Sequence, residues 1–320
     1  MGFYGYNCKN PAKRPVTSLT RVRIPAKALY FFWCSKSELV LLVQVFMLAM
    51  CYFDMSNSKL LDSYLQYRAY VGRYKINGKL DLSGIGWAFP SLLLLLRGFI
   101  HESRGKVEVI LPENKSVRKY VSLMLDESTF EKSGETYCPF VELPRQKVNA
   151  ERILQKLYAV RGHGDDLGGE AAFKYILGEL TDNIYEHSQF TTAFVMAKRY
   201  PKLGFAEICF FDNGLTIPGC LEKHEVQFAS DAEAIGKALN GLSTKGKERG
   251  YGLSTSLSIA TKPPLKGDAL IISRRGGIEI YAGKQQAYEL PDPFQGTFVA
   301  IQIPLPSKAV NIYDYVSGQG

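Results

Sequence analysis

Between Glu170 and Ser188 the apolar residues Phe173, Ile176, Leu177, Leu180 and Ile184 recur at the i, i+3, i+4, i+7, i+11 spacing of one buried helical stripe, which leaves the opposite side polar. That polar side carries Glu179, Asn183 and His187, four residues apart in succession, in the phrase GELTDNIYEHS. A helix with such a stripe needs a flat apolar partner. Residues 192–198, 205–211, 269–273, 277–281 and 297–303 read as strands that supply it, and residues 150–160, 232–239 and 253–260 read as further helices. The expected class is α/β in the sense of an α+β sandwich, with helices layered on one face of a mixed, largely antiparallel sheet.

A smaller unit precedes this pattern. Residues 70–76 read as a strand, Asn77-Gly78 as a turn, a helix falls somewhere within 84–102, residues 106–111 form a second strand, and residues 116–125 form a short helix. The expected organisation is an N-terminal extension over 1–60, a small α/β domain over 61–145, a larger domain over 146–308 and a tail over 309–320.

Charge narrows the functional classes. The net charge of +8 arises from the first 36 residues, which hold seven basic side chains and no acid; beyond them 32 basic residues face 31 acidic ones. The body of the chain is therefore close to neutral, and nucleic acid is not expected as a partner. Six cysteines without a C-x-x-C pair read as thiols in a reducing compartment, and four scattered histidines offer no zinc spacing. Residues 39–53 are apolar apart from Gln44, shorter than the about 20 residues of a bilayer helix. Three readings stand for this region: a start at Met55 with an extraneous or disordered upstream segment, a membrane anchor, or a packed helix. The expected location is cytoplasmic, with membrane contact only if residues 39–53 insert.

The later segments supply what the Glu179, Asn183, His187 face would need to hold a metal-nucleotide. Asn183 offers a carboxamide oxygen suited to Mg²⁺, an ion that takes most of its other ligands from water and phosphate. Glu179, one turn earlier, can orient or deprotonate a nucleophile. Asp212 follows an apolar run and can accept a hydrogen bond from an exocyclic amine, and Gly214 lets backbone pass close to a flat ring. Gly250, Gly252 and Leu253 open a helix whose free amides can face phosphate oxygens. Before them, Ser243, Thr244, Lys245, Lys247 and Arg249 form a polar, basic loop able to close as a lid, and Gly296-Thr297 opens a final strand. Each segment also has a plain structural reading: a solvated helix face for Glu179 and Asn183, and a hairpin turn for Asp212-Asn213-Gly214.

In this order and at these separations, the segments resemble the four boxes of the GHKL superfamily of gyrases, heat-shock chaperones, histidine kinases and mismatch-repair ATPases. The resemblance covers residues 150–305 and implies a Bergerat-type ATP-binding fold using ATP and Mg²⁺. It implies that Asn183 holds Mg²⁺, Asp212 reads adenine, Gly214 shapes the pocket, and Gly250 and Gly252 cradle phosphates. Thr297 would support the adenine contact. The phrase GTFVAIQIPL from Gly296 is similar to the closing strand of a histidine-kinase catalytic domain. The acid in E-x-x-x-N-x-x-x-H is similar to that of the anti-sigma-factor serine kinases, which implies Glu179 as base for ATP hydrolysis or for phosphorylation of a protein Ser or Thr. The partners so implied are ATP, a protein that is itself STAS-like, and a second copy of the chain. Asp81-Leu82-Ser83-Gly84-Ile85-Gly86 resembles a STAS turn, with Ser83 as an acceptor. A histidine-kinase reading would use His101, but the strand and Pro112 that follow it leave no room for a long helix pair. One departure is that the family's D-x-G-x-G reads Asp212-Asn213-Gly214-Leu215-Thr216, so Thr216 replaces a hinge glycine and puts nucleotide affinity in doubt. This favours the alternative of an ATP-dependent switch without turnover.

Overall fold

The structure is a computed structural model that describes residues 58–316 apart from 105, 127, 129, 131–135, 163 and 243–251. The apolar segment 39–53 and the lid residues Lys245, Lys247, Arg249 and Gly250 lie outside the described residues. Among the described residues no helix is long and apolar enough to cross a membrane.

The first element is a helix, α1 (Lys59–Asn77). Ser58 caps it, its hydroxyl accepting from the amides of Leu60 and Leu61 at 3.2 and 3.4 Å. Gly78 ends it in the left-handed conformation, φ 69°, with its N–H donating to the Tyr74 carbonyl. The strand expected at 70–76 is thus the last two turns of α1. Its aromatic and β-branched residues suggest a strand, but the caps at both ends and the burial of Leu60, Leu61 and Tyr64 extend the helix through them. A strand-helix-strand crossover follows: β1 (Lys79–Asp81), α2 (Pro90–Glu102) and β2 (Glu108–Ile110), with β1 and β2 paired in parallel. Pro90 opens α2, where its missing N–H costs nothing, and α3 (Lys115–Leu125) begins under an Asn114 cap.

The central sheet has five strands: β3 (Tyr137–Glu142), β4 (Ala193–Tyr200), β5 (Phe205–Asp212), β6 (Asp268–Tyr281) and β7 (Lys284–Pro304). Their order is β3-β4-β5-β7-β6 and every pairing is antiparallel. Sequence periodicity misses β3 and separates 269–273 from 277–281. These two are a single bent strand whose register shifts at Arg274 and Gly276. It also shortens β7 to 297–303, whereas the strand begins at Lys284 and includes Pro291 and Pro293. They sit in a bulge, since Gly276 pairs with Glu289 while Arg274 pairs with Phe294.

On one face lie α4 (Glu151–Ala159), α5 (Gly169–Asn183), α7 (Asp231–Leu239) and α8 (Gly252–Thr261), packed on Ala206, Ile208 and Phe210 of β5 and Val299, Ile301 and Ile303 of β7. The alternate residues Cys209, Phe211, Phe298 and Ala300 point the other way. They meet Leu92 to Leu96 of α2 together with α1 and α3, so the layered helix-on-sheet architecture has both sheet faces covered.

Glu207 ties this second layer to the sheet. It is fully buried, and its carboxylate accepts from the Ser91 N–H at the start of α2 and from Gln302 Nε2 on β7, both at 2.6 Å. Burial pushes its carboxyl up, opposed by the hydrogen bonds from Gln302 and Ser91. Glu207→Ala leaves both donors buried without an acceptor, and we expect a loss of about 3 kcal/mol in urea unfolding with little change in m-value.

Candidate functional site

The helix that carries Glu179 and Asn183 changes pitch where the site begins. α5 ends at Asn183 and continues as a single π turn, Ile184–Ser188, closed by Gln189 in the left-handed conformation at φ 50°. The wider turn takes His187 off the α-helical ladder that relates Glu179 to Asn183, so the three residues do not form one regular stripe.

Below the π turn, β5 delivers Asp212 to the same place. Even-numbered residues of β5 face the α5 layer, so Asp212 continues the row of Ile208 and Phe210 into the space beneath Asn183. Two glycines let the chain approach its neighbours at this point. A Cβ on Gly214 would overlap the Ser188 carbonyl and lie 2.8 Å from the Phe190 nitrogen. A Cβ on Gly296, whose φ is +85°, would overlap the Asp212 carbonyl and lie 2.7 Å from the Asn213 Cα. Gly214 is therefore required by backbone packing against the π turn. Leu215 and Thr216, the next two residues, line the cavity.

The cavity opens to solvent, and the space within it and its mouth amounts to about 930 Å³. Asn183, Asp212, Gly252, Leu253 and Thr297 all line it, drawn from four separate stretches of chain. Leu180, Ile184, Phe210, Ile217 and Val299 give it apolar walls. Asp212 is 4% exposed, and its Oδ1 accepts from the Gly214 N–H at 3.0 Å. Burial pushes its carboxyl up to about 7, against the hydrogen bonds from Gly214 and Ser188. Asn183 Nδ2 is buried and has no hydrogen-bond partner among the described residues.

Glu179 lies just behind this lining. Its carboxylate is packed against the Cα of Gly252, where any side chain would collide with it. Gly252 thus admits the acid to the start of α8.

Sequence reasoning passed over the residues that hold the site in shape. Asn213 reads as the middle of a turn, yet its Oδ1 accepts from the amides of Thr191 and Thr192 at 3.0 and 2.8 Å, and its Nδ2 donates to Glu102 at the end of α2 and to Thr191 Oγ1. The turn leads not into a hairpin but into α6 (Ile217–Lys223), capped by Thr216, whose hydroxyl accepts from Gly219 N–H at 3.0 Å. Ser273 is buried on β6; its Oγ accepts from Ile217 N–H at 2.9 Å and contacts Thr297 Oγ1 at 3.0 Å. Arg274 then clamps α6 to α7, its Nε on Asp231 and its two terminal nitrogens on Glu222 at 2.8 Å. Only the D-N-G tripeptide carried a local signal for any of these.

Among the described residues no group of three or more His, Cys, Asp or Glu side chains is placed to hold a metal ion. The donor set fits only a hard cation that arrives with its own phosphate and water ligands, which Asn183 can join. His101 sits at the end of α2 with its ring edge-on to Phe194 at 5.0 Å, and Ser83 lies in the β1–α2 turn with its amide bonded to Asp81. No protein-family model matches the chain, and a comparison with curated proteins finds no match.

Asp212 gives a stability test. Its folded value of about 7 exceeds the ordinary 3.8, so the fold binds its proton more tightly than the unfolded chain does. Stability from this group is fully present below about pH 4 and falls as pH rises through 7, by up to about 4 kcal/mol. Asp212→Asn should therefore raise Tm relative to the parent at pH 8 and leave it nearly unchanged at pH 4.

Proposed function

We propose that the cavity beneath the π turn binds Mg²⁺-ATP and that the chain is a regulatory ATPase or protein kinase of GHKL type. The observation that carries this reading is the convergence of Asn183, Asp212, Gly252 and Thr297 on one cavity. Their positions agree with the roles implied by the sequence resemblance, and the antiparallel sheet with helices over its β5–β7 centre agrees with a Bergerat-type fold.

In this reading each residue of the cavity has its own part. Asp212, held by Gly214 and backed by Thr297 in register across β5 and β7, presents a carboxylate to an exocyclic amine. Leu215, Ile217 and Val299 give the ring apolar contact. Asn183 at the other wall satisfies its buried carboxamide on the phosphate-metal end. Bound Mg²⁺ would neutralise phosphate charge and orient the terminal phosphate for in-line attack. The amides at the start of α8 favour anionic oxygens. Glu179, packed on Gly252 one helical turn from Asn183, would be the base that takes a proton from water or from a Ser or Thr hydroxyl.

A second reading is an ATP-controlled switch with little turnover. It is favoured by Thr216, which caps α6 where the family has a hinge glycine and so stiffens the segment between Asp212 and α6. Under either reading the location expected is cytoplasmic and the partner a protein, in keeping with the near-neutral charge beyond residue 36.

Calorimetry with Mg²⁺-ATP tests the site. The parent should bind; Asn183→Ala and Asp212→Asn should each weaken binding by at least about tenfold, as expected for loss of a hydrogen bond involving a charged group. Binding unchanged in both variants would remove the assignment. Because the amine needs the ionised carboxylate, affinity should fall below pH 7, approaching tenfold per unit, and this slope should be absent in Asp212→Asn. Glu179→Gln separates the two readings through phosphate release. Retained binding with release reduced by about a hundredfold or more supports the enzyme; parent protein that binds ATP and releases no phosphate with any partner supports the switch.

A further inference from the structure

The wall of the cavity formed by α6 holds a nucleophile that the nucleotide reading does not use. Cys220 lines the cavity, and its Sγ lies 3.9 Å from Nδ1 of His187, which lines it from the π turn. The two residues are brought together by the change of pitch after Asn183 and by the Thr216 cap that starts α6. Cys138 and Cys209, by contrast, are fully buried, and Cys209 donates to Glu207 on the opposite face of the sheet. The same cavity contains Asn183 Nδ2, which has no partner among the described residues, an independent sign that a ligand belongs there.

We propose that Cys220 and His187 form a thiol-modification site, at which a small electrophile or a low-molecular-weight disulfide attaches to Cys220 and excludes the ligand of the cavity. With its proton on Nε2, His187 accepts the thiol proton at Nδ1. The Cys220 sulfur then attacks one sulfur of a disulfide such as glutathione disulfide. The Cys220–glutathione S–S bond forms, the S–S bond of the reagent breaks, and the departing glutathione thiolate takes up a proton. One disulfide is exchanged for another, and no further oxidant is needed. The added group occupies space bounded by Leu215, Ile217 and Asp212, so ligand and adduct compete. A reductant reverses the block. The thiol assignment is independent of the ligand's identity; the blocking effect rests on the nucleotide reading through the probe used to detect it.

The full-length native chain is treated with limiting iodoacetamide at pH 7 and each cysteine is followed by peptide mass analysis. Cys220 should react about tenfold faster than glutathione under the same conditions, and His187→Gln should remove most of that advantage. Cys138 and Cys209 should stay unlabelled in both proteins, which shows that the variant remains folded. Cys220 reacting no faster than glutathione, or equally fast in a folded His187→Gln, overturns the pair. In the second arm, protein treated with glutathione disulfide should lose the Mg²⁺-ATP heat and regain it with dithiothreitol, while Cys220→Ser binds equally under both conditions. Full binding by protein carrying glutathione on Cys220 overturns the exclusion. If untreated protein gives no heat with Mg²⁺-ATP, the nucleotide reading fails and the alkylation rates still decide the thiol site.

Discussion

The site depends on the close approach of one short stretch of backbone, residues 212–214, to neighbours on two sides. Gly296 lets β7 press against the Asp212 carbonyl, and Gly214 lets the outgoing chain press against the Ser188 carbonyl of the π turn. With side chains at either position the loop would have to move away, and the Asp212 carboxyl would move with it. The same loop is braced by Asn213, whose carboxamide makes four hydrogen bonds to the Thr191–Thr192 segment and to Glu102. Three consecutive residues thus place one carboxylate, brace one loop and pass one tight contact.

That placement carries a cost in the unliganded fold. A carboxyl 4% exposed and surrounded by Leu, Ile, Val and Phe side chains gives up hydration that one amide and one hydroxyl only partly replace. Asn183 Nδ2, in the same cavity, is likewise buried with no hydrogen-bond partner among the described residues. The wall between them is held by polar contacts, Ser273 to Ile217 and Arg274 to Glu222 and Asp231, which keep α6 and α7 in position.

The layer formed by α1, α2 and α3 is joined to the site. α2 runs from Ser91, which donates to Glu207 at the middle of β5, to Glu102, which accepts from Asn213 beside Asp212. The two bonds anchor both ends of one helix on one strand and on the loop that follows it. A change in how α2 sits on the sheet would therefore reach Asp212 through Asn213, a route by which a protein partner on the back layer could influence the cavity.

How much of this was readable before folding differs from residue to residue. The stripe on α5, the strands at 205–211 and 297–303, and the positions of Asn183, Asp212, Gly252 and Thr297 follow from local periodicity and from motifs whose residues are adjacent in sequence. The helical nature of residues 70–76 did not, because caps and burial outweighed strand propensity. Nor did the full length of β7, whose prolines are sheltered in a bulge that exists only opposite β6. The second helix layer was hidden as well, since a strand buried on both faces shows a continuous apolar run that does not reveal what covers each side. Sequence by itself singled out Asn183, Asp212, Gly252 and Thr297, the side chains and backbone that line one cavity. Tertiary structure decided that Gly214 serves the backbone, that Glu179 stands behind Gly252, and that Cys220 meets His187, because each depends on distances between segments that no local spacing encodes.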